Sequence, residues 1–459
     1  MFTSRTSLLA LAFAALATAI PIATPAQVTL VDNDTVKLYM TVDTVGTVQI
    51  LNNYDTYNAA GLPIAPITPG FQNAFGNMGF GAYFGKNKEV EMYYELYLDT
   101  WNHTSQTYGH EGYIIIHDIP GQAEGLSFMH GIFKFIDIKV GHMELDFGDA
   151  WLHRSNNGNT KRNPLIGNFV MDPNTTEIGG ELRSKPAMLN WLVGISSGTT
   201  TENWSQDHGT ALHAKLWAMP IEPLRLAASY YHVDHSKSPV TGGAVSTFFS
   251  GNRSGARYEG VFLPGVTPAI RKNMTAWQGD ITWKGKCFKG HDYYVYGNYG
   301  QVADKDVNAS GAYANLFSTT VYQAPKLEEK WSYYALESSY DVTKNLYVAA
   351  RYSAAQAKTL NNAATTCLTV TATGACSNPA IAAPQNYDTS GRIDRWQLGM
   401  GYRLSKNLTF KTEVVNQQFH GWRAPVAGPP AVTGEIYGGV QAWKNPGYHG
   451  VMMEVALFF

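Results

Sequence analysis

Charge is scarce in this chain. Asp, Glu, Lys and Arg together make up 15% of 459 residues, against about 25% in an ordinary soluble domain. The two signs nearly cancel, leaving −2 overall, so there is no excess charge to hold a nucleic acid. Cysteine is scarcer, at three, which excludes a disulfide-built scaffold and a thiolate metal centre. No Cys-x-x-Cys-His occurs, so the chain attaches no c-type haem. No His-Glu-x-x-His occurs either, and no Gly-x-Ser-x-Gly elbow is expected. These absences leave no cofactor and no enzyme activity to assign.

Long hydrophobic runs are also missing, with one exception at the start. Arg5 precedes an apolar stretch from Leu8 to Ile20, and Thr24-Pro25-Ala26 supplies small residues after it. That order is a signal peptide cleaved after Ala26, shorter than the roughly 20 residues of a membrane-spanning helix. Residues 1–26 are therefore expected to leave, and residues 27–459 to form one exported domain. With no second run, the product is secreted, periplasmic or embedded as a β-barrel, since closed barrels are the non-helical way across lipid.

What the chain has in quantity is aromatic residues: 13%, including 27 Tyr and 11 Trp. Rings of Tyr and Trp at the two membrane interfaces use residues in this way. Alternation at period two is equally frequent. Val90, Met92, Tyr94, Leu96 and Leu98 oppose Glu91, Tyr93, Glu95, Tyr97 and Asp99, a split that a helix would smear around its circumference. In the last segment Val451, Met453, Val455, Leu457 and Phe459 oppose Glu454 and Ala456. About 16 such segments are expected, beginning near Val36, Met78, Val90, Glu111, Phe135, Glu177, Leu189, Leu212, Leu224, Thr275, Asp292, Trp331, Leu346, Ile393, Leu408 and Tyr448. Tight turns such as Lys86 to Lys88, Ser184-Lys185-Pro186 and Ser405-Lys406-Asn407 alternate with long polar connectors at 51–77, 148–175, 236–273, 302–328, 354–391 and 421–447. The connector 122–134 is long enough for a short helix. The reading is an all-β transmembrane antiparallel barrel with short periplasmic turns and long extracellular loops, set in outer-membrane lipid. A soluble secreted carbohydrate-binding β-protein fits the aromatic content, but not the regular alternation of turns.

The inward faces of these strands carry Glu91, Glu95, Asp99, Glu181, Arg183, Lys215, Arg225, Asp280, Glu337, Arg351, Arg395, Arg403, Lys411, Glu413 and Glu454. So many charges do not suit a dry core, and a wet lumen is the simpler expectation. Cys367 and Cys376 share one Ala/Thr/Asn-rich connector and are expected to form a local disulfide, while Cys287 carries none.

The chain resembles bacterial outer-membrane porins of the 16-stranded class. The residues that carry this are Lys37-Leu38-Tyr39-Met40-Thr41-Val42-Asp43 and the terminal Phe459, similar to the signal read by the outer-membrane insertion machinery. Locally, Lys139-Val140-Gly141-His142-Met143-Glu144-Leu145-Asp146-Phe147-Gly148 resembles the strand before the constriction loop of the phosphate-selective porin O/P family, with Asp146 where that family often has Pro. The resemblance implies a homotrimer of water-filled channels for ions and small hydrophilic solutes. It also implies that Asp149 to Thr176 folds inward as a constriction, carrying Asp149, Arg154, Lys161 and Arg162. Arg351, Arg395 and Arg403 would then form a basic stripe facing the acidic stripe of Glu91, Glu95 and Asp99. Inward charges are nearly balanced, so strong anion selectivity is not expected. A second reading is a plugged or partner-filled barrel serving as a structural or electron-conduit scaffold.

Overall fold

The computed structural model describes residues 28–54, 70–99, 106–120, 124–153, 161–171, 173, 176–198, 210–235, 246, 248, 257–258, 261–262, 273–287, 290–306, 313–314, 321–323, 327–361, 365–367, 392–420 and 447–458. A short strand β1 (Val28–Asp32) leads into β2 (Val36–Tyr54), β3 (Gly70–Phe84), β4 (Val90–Asp99) and β5 (Gln106–Ile116). Then come β6 (Ile136–Glu144), β7 (Thr176–Ser184), β8 (Leu189–Ser196), β9 (Ala211–Ile221) and β10 (Leu224–Asp234). The last seven are β11 (Asn273–Lys286), β12 (Asp292–Asp306), β13 (Leu327–Asp341), β14 (Leu346–Asn361), β15 (Arg392–Arg403), β16 (Leu408–His420) and β17 (Gly447–Phe458). Each strand from β2 to β17 pairs antiparallel with the next, and β17 returns to β2 from Asp43↔Phe458 to Tyr54↔Tyr448. The result is a closed barrel of sixteen antiparallel strands, one for each segment read from the sequence. Among the described residues no helix is long and apolar enough to cross a membrane, which says nothing about crossing by strands.

Two features depart from the sequence reading. β1 was not anticipated: it pairs with Lys37–Met40 of β2, beyond the point where β17 has ended, and so continues the line of β17. Five residues are too few for periodicity to register. The strands also run further toward the long connectors than their alternation does. β13 and β14 stay paired as far as Glu328↔Asn361, because main-chain hydrogen bonds persist where no apolar face is required. Small ladders in the connectors add Arg257–Tyr258 with Val261–Phe262, and Val321–Gln323 between Tyr313–Ala314 and Thr365–Cys367.

The turns form where side-chain oxygens substitute for main-chain acceptors. Asn33 Oδ1 accepts from the amides of Thr35 and Val36 at 3.0 and 2.8 Å. Thr343 Oγ1 takes those of Asn345 and Leu346, and Ser405 Oγ those of Asn407 and Leu408. Asn, Thr and Ser compete with the ladder in this way, which is why strands end at them. The 122–134 connector holds a 3-10 turn (Glu124–Met129) and one helical turn (His130–Phe133).

The wall sorts its residues by period. On β15, Trp396, Leu398, Met400 and Tyr402 are exposed outward while Arg395 and Gln397 are buried inward. On β17, Met452, Glu454, Ala456 and Phe458 point inward. Aromatic residues cluster at two heights of the outer surface. Trp277 with Tyr299 (5.5 Å between centroids) and Tyr352 with Trp396 (4.4 Å) lie toward the long connectors. Near the short turns, the Trp283 indole donates to the Tyr293 hydroxyl at 3.0 Å. Apolar Ile281, Val295, Leu336, Val348 and Leu398 are exposed between them, the arrangement of a lipid-facing band between two girdles.

Candidate functional site

The segment after β6 turns into the barrel and lies along the inner face of the strands from β9 to β17. Lys215 on β9 holds its beginning, with Nζ 2.6 Å from Asp146, 2.6 Å from the Gly148 carbonyl and 2.9 Å from Asp149. Arg225 on β10 grips both oxygens of Asp149 at 2.7 and 3.0 Å, and the Gly148 amide donates to Ser229 Oγ at 2.9 Å. Further along, the His153 ring stacks on Tyr296 of β12 at 4.4 Å and its Nδ1 lies 3.0 Å from Glu337 of β13. Glu413 on β16 accepts the amides of Ile166 and Gly167 at 2.6 and 2.9 Å. Arg395 on β15 donates to the Asn168 carbonyl at 2.9 Å, and Lys411 on β16 to the Leu165 carbonyl at 3.3 Å.

Arg351 of β14 is the centre of this attachment. Its guanidinium pairs with Glu337, donates to the carbonyls of Gly167 (2.6 Å) and His153 (3.0 Å) and to Asn163 Oδ1 (2.8 Å), and stacks on the Phe169 ring at 4.0 Å. The planar fork of arginine can meet several acceptors at once, where an ammonium would act as one point charge. Arg351 is 1% exposed and Glu337 0%. A pair so deeply buried is tolerable because each partner is compensated and further hydrogen bonds satisfy the rest. Lys215, Arg225, Glu337, Arg351, Arg395, Lys411 and Glu413 therefore do not stand along an open lumen. They hold polypeptide.

Above this attachment, toward the long connectors, the inward segment joins an apolar cluster. Phe147, Val170 and Met171 of the inward segment pack with Tyr231, Met274, Val302, Trp331 and Tyr333 of the wall. Phe248, from the connector after β10, stacks on Tyr231 at 3.9 Å between centroids and meets Phe147 edge-on at 4.9 Å.

The opposite wall is rich in tyrosine and carboxylate. Tyr39 donates to Glu91 at 3.3 Å, Tyr93 to Glu95 at 2.9 Å, and Lys139 Nζ lies 3.9 Å from the Tyr113 ring centroid. At the short-turn rim His117 stands 3.5 Å from Glu91 and 3.0 Å from Asp137, which also pairs with Lys185. The hydrogen bond to Glu91 raises the His117 imidazole above its ordinary 6.5; burial opposes that rise and Asp137 adds to it.

The residues nominated from sequence are distributed as follows. Asp149, Arg351 and Arg395 meet at the inward segment. Lys161 is exposed on it with Nζ 4.6 Å from the Phe458 ring, and Arg162 is exposed beside it. Arg183 bonds Glu181 at 2.6 Å and lies 3.9 Å from Asp146, so Asp146 joins a charge network. Arg403 is apart from the others, at the short-turn rim, bidentate to Asp341 at 3.0 Å. Glu91 and Glu95 are on the tyrosine wall. Asp99 is placed only by its strand pairing with Phe75 and Gln106. Arg154 and Cys376 lie outside the described residues; Cys367 ends the small ladder Thr365–Cys367. Cys287 is a thiol in the turn after β11.

Several participants were not anticipated. Asn163 orders the segment by accepting from the Leu165 amide at 3.0 Å and donating to the Gly167 carbonyl at 3.1 Å, and its Asn-Pro step was a readable turn signal. The adjacent Phe248-Phe249 pair in a connector read as polar was another. One sequence expectation needs correction: Gly194-Ile195-Ser196-Ser197-Gly198 does fit the Gly-x-Ser-x-Gly letters. Ser196 ends β8 and is buried, with its hydroxyl donating to Glu177 at 2.6 Å, so it is not presented as the exposed nucleophile of an elbow. Among the described residues no group of three or more His, Cys, Asp or Glu is placed to hold a metal.

Neither a protein-family model nor a curated protein matches the sequence. Solved structures do. In-vitro folded OmpT, an outer membrane protein of Vibrio cholerae, superposes with a TM-score of 0.51 at 9% identity, covering 94% of this chain and 99% of that one. The likeness is one of fold. An anion-selective porin from Comamonas acidovorans gives 0.48 at 11% identity over 93% and 99% of the two chains. The outer membrane channel DcaP of Acinetobacter baumannii gives 0.47 at 10% over 93% and 99%. These two scores bear no conclusion.

Proposed function

We propose that the protein is an outer-membrane porin, a barrel for passive diffusion of ions and small hydrophilic solutes, exported through a cleaved signal peptide and assembled as a homotrimer. One observation carries the reading. A closed sixteen-stranded wall is apolar outside and charged inside, and a segment is pinned across its interior, largely by its main chain, by Arg351, Arg395, Lys215 and Glu413. A segment fixed at so many points narrows a lumen without depending on thermal motion to stay there. The remaining passage would run between its exposed Lys161 and Arg162 and the Tyr39, Glu91, Tyr93 and Tyr113 wall. Rings of fixed charge at such a narrowing set ion preference.

The apolar packing of Phe147, Tyr231, Phe248 and Trp331 favours a second reading, a barrel filled enough to act as a scaffold for a partner. Single-channel current from purified protein in a planar bilayer under a salt gradient separates the two. Stepwise conductance supports the porin, and charge reversal at Arg154 or Arg162 is then expected to move the reversal potential with little effect on folding. Silence from correctly inserted protein supports the scaffold.

A further inference from the structure

Beneath the inward segment, at the short-turn rim of β9 to β12, is a cavity of about 370 Å³. This lies within the usual span of small-molecule sites, roughly 300–1,000 Å³. Its lining is divided by chemistry. Arg162 comes from the segment and Lys284 from the end of β11, and no acceptor for the Lys284 ammonium occurs among the described residues. Arg225 also faces the cavity, but its charge is taken up by Asp149. Glu222 is the one carboxylate of a lining that carries Arg162, Arg225 and Lys284. Thr282, directly opposite Arg225 in the strand register, is 4% exposed and its hydroxyl has no hydrogen-bond partner among the described residues. A buried hydroxyl in that state costs free energy until something completes it. Leu152 and Met219 supply an apolar side.

We infer that this cavity binds a small organic anion, a carboxylate carrying a short apolar chain. The carboxylate would sit between Arg162 and Lys284 and accept from the Thr282 hydroxyl, with the chain against Leu152 and Met219. An inorganic anion would satisfy the cations and leave the apolar side unused. This is a local site and is compatible with the balanced charge of the interior as a whole. It deepens the porin reading by naming a solute class, and it requires only that the interior be reachable from the short-turn rim.

Calorimetric titration of the refolded barrel in detergent tests it, with acetate, butyrate and hexanoate as probes and inorganic phosphate as the polar control. Affinity is expected to rise by about fourfold for each added methylene, and phosphate is expected not to displace hexanoate at equal concentration. Lys284→Gln, at an exposed position, should weaken hexanoate about tenfold, the loss of one charge-assisted contact, and Thr282→Val should weaken it less. Equal affinity for all three acids, equal competition by phosphate, or an unchanged Lys284→Gln protein overturns the inference. Bilayer conductance is read separately. Binding without conductance sinks the porin alone, and conductance without binding sinks only this site.

Discussion

Arg351 shows what a single inward charge does in this barrel. Removing it leaves Glu337 buried without its cation and releases three acceptors of the inward segment together. Arg351→Met is therefore expected to cost about 3–5 kcal/mol, the usual loss when one member of a buried pair is deleted. The measurement is the urea midpoint of the refolded barrel. Arg351→Met combined with Glu337→Gln should cost less than the single change, and an equal or larger loss would show that the pair is not the unit. His117 gives a pH signature. Its folded value is raised above the ordinary 6.5, so its contribution is complete below pH 6.5 and fades as pH climbs through the raised value. Unfolding midpoints between pH 5 and pH 9 should fall toward the alkaline end by more in the parent than in His117→Gln. At this scale the sequence was only half legible. Periodicity put Arg351, Arg395 and Glu413 on the inner face, but nothing in a strand's alternation says which loop carbonyl or amide will arrive opposite it.

At the scale of strands and turns the sequence was far more legible, because a wall with lipid on one side and polar contacts on the other imposes period two on every strand. β1 escaped, having five residues and no outward requirement of its own. The many glycines of the wall also acquire a reason here. Tyr39 is paired with Gly81, Tyr333 with Gly300 and Tyr347 with Gly401, and in each pair the ring lies where a glycine Cβ would be. A small residue opposite a large one lets the ring lie flat on the neighbouring strand. Not all glycines are equivalent, which gives a paired test. A Cβ at Gly179 would come within 2.3 Å of the Ile195 carbonyl oxygen, a backbone atom, whereas one at Gly46 meets nothing within 4 Å. Gly179→Ala should lower stability by about 1–3 kcal/mol. Gly46→Ala should be neutral or mildly stabilising, since a strand glycine is an entropic burden. Heat-modifiable gel mobility and urea midpoints of the two variants decide it.

For the whole molecule the first question is assembly. Phe459→Ser is expected to reduce the amount of barrel reaching the membrane, measured by cell fractionation; normal levels would remove the assembly role read from the terminal aromatic residue. The seam described above bears on a different property. Phe458 stands opposite Asp43 and Val28 opposite Met40, on the same edge of β2 and running the same way. Three strand residues span about 10 Å, so the two ends of the wall nearly abut along one line. Topologically the wall is then a ring cut at an arbitrary place. A permuted gene that links the two ends through a few glycines and opens the chain at Lys406 encodes the same hoop, with its break moved from one turn to another.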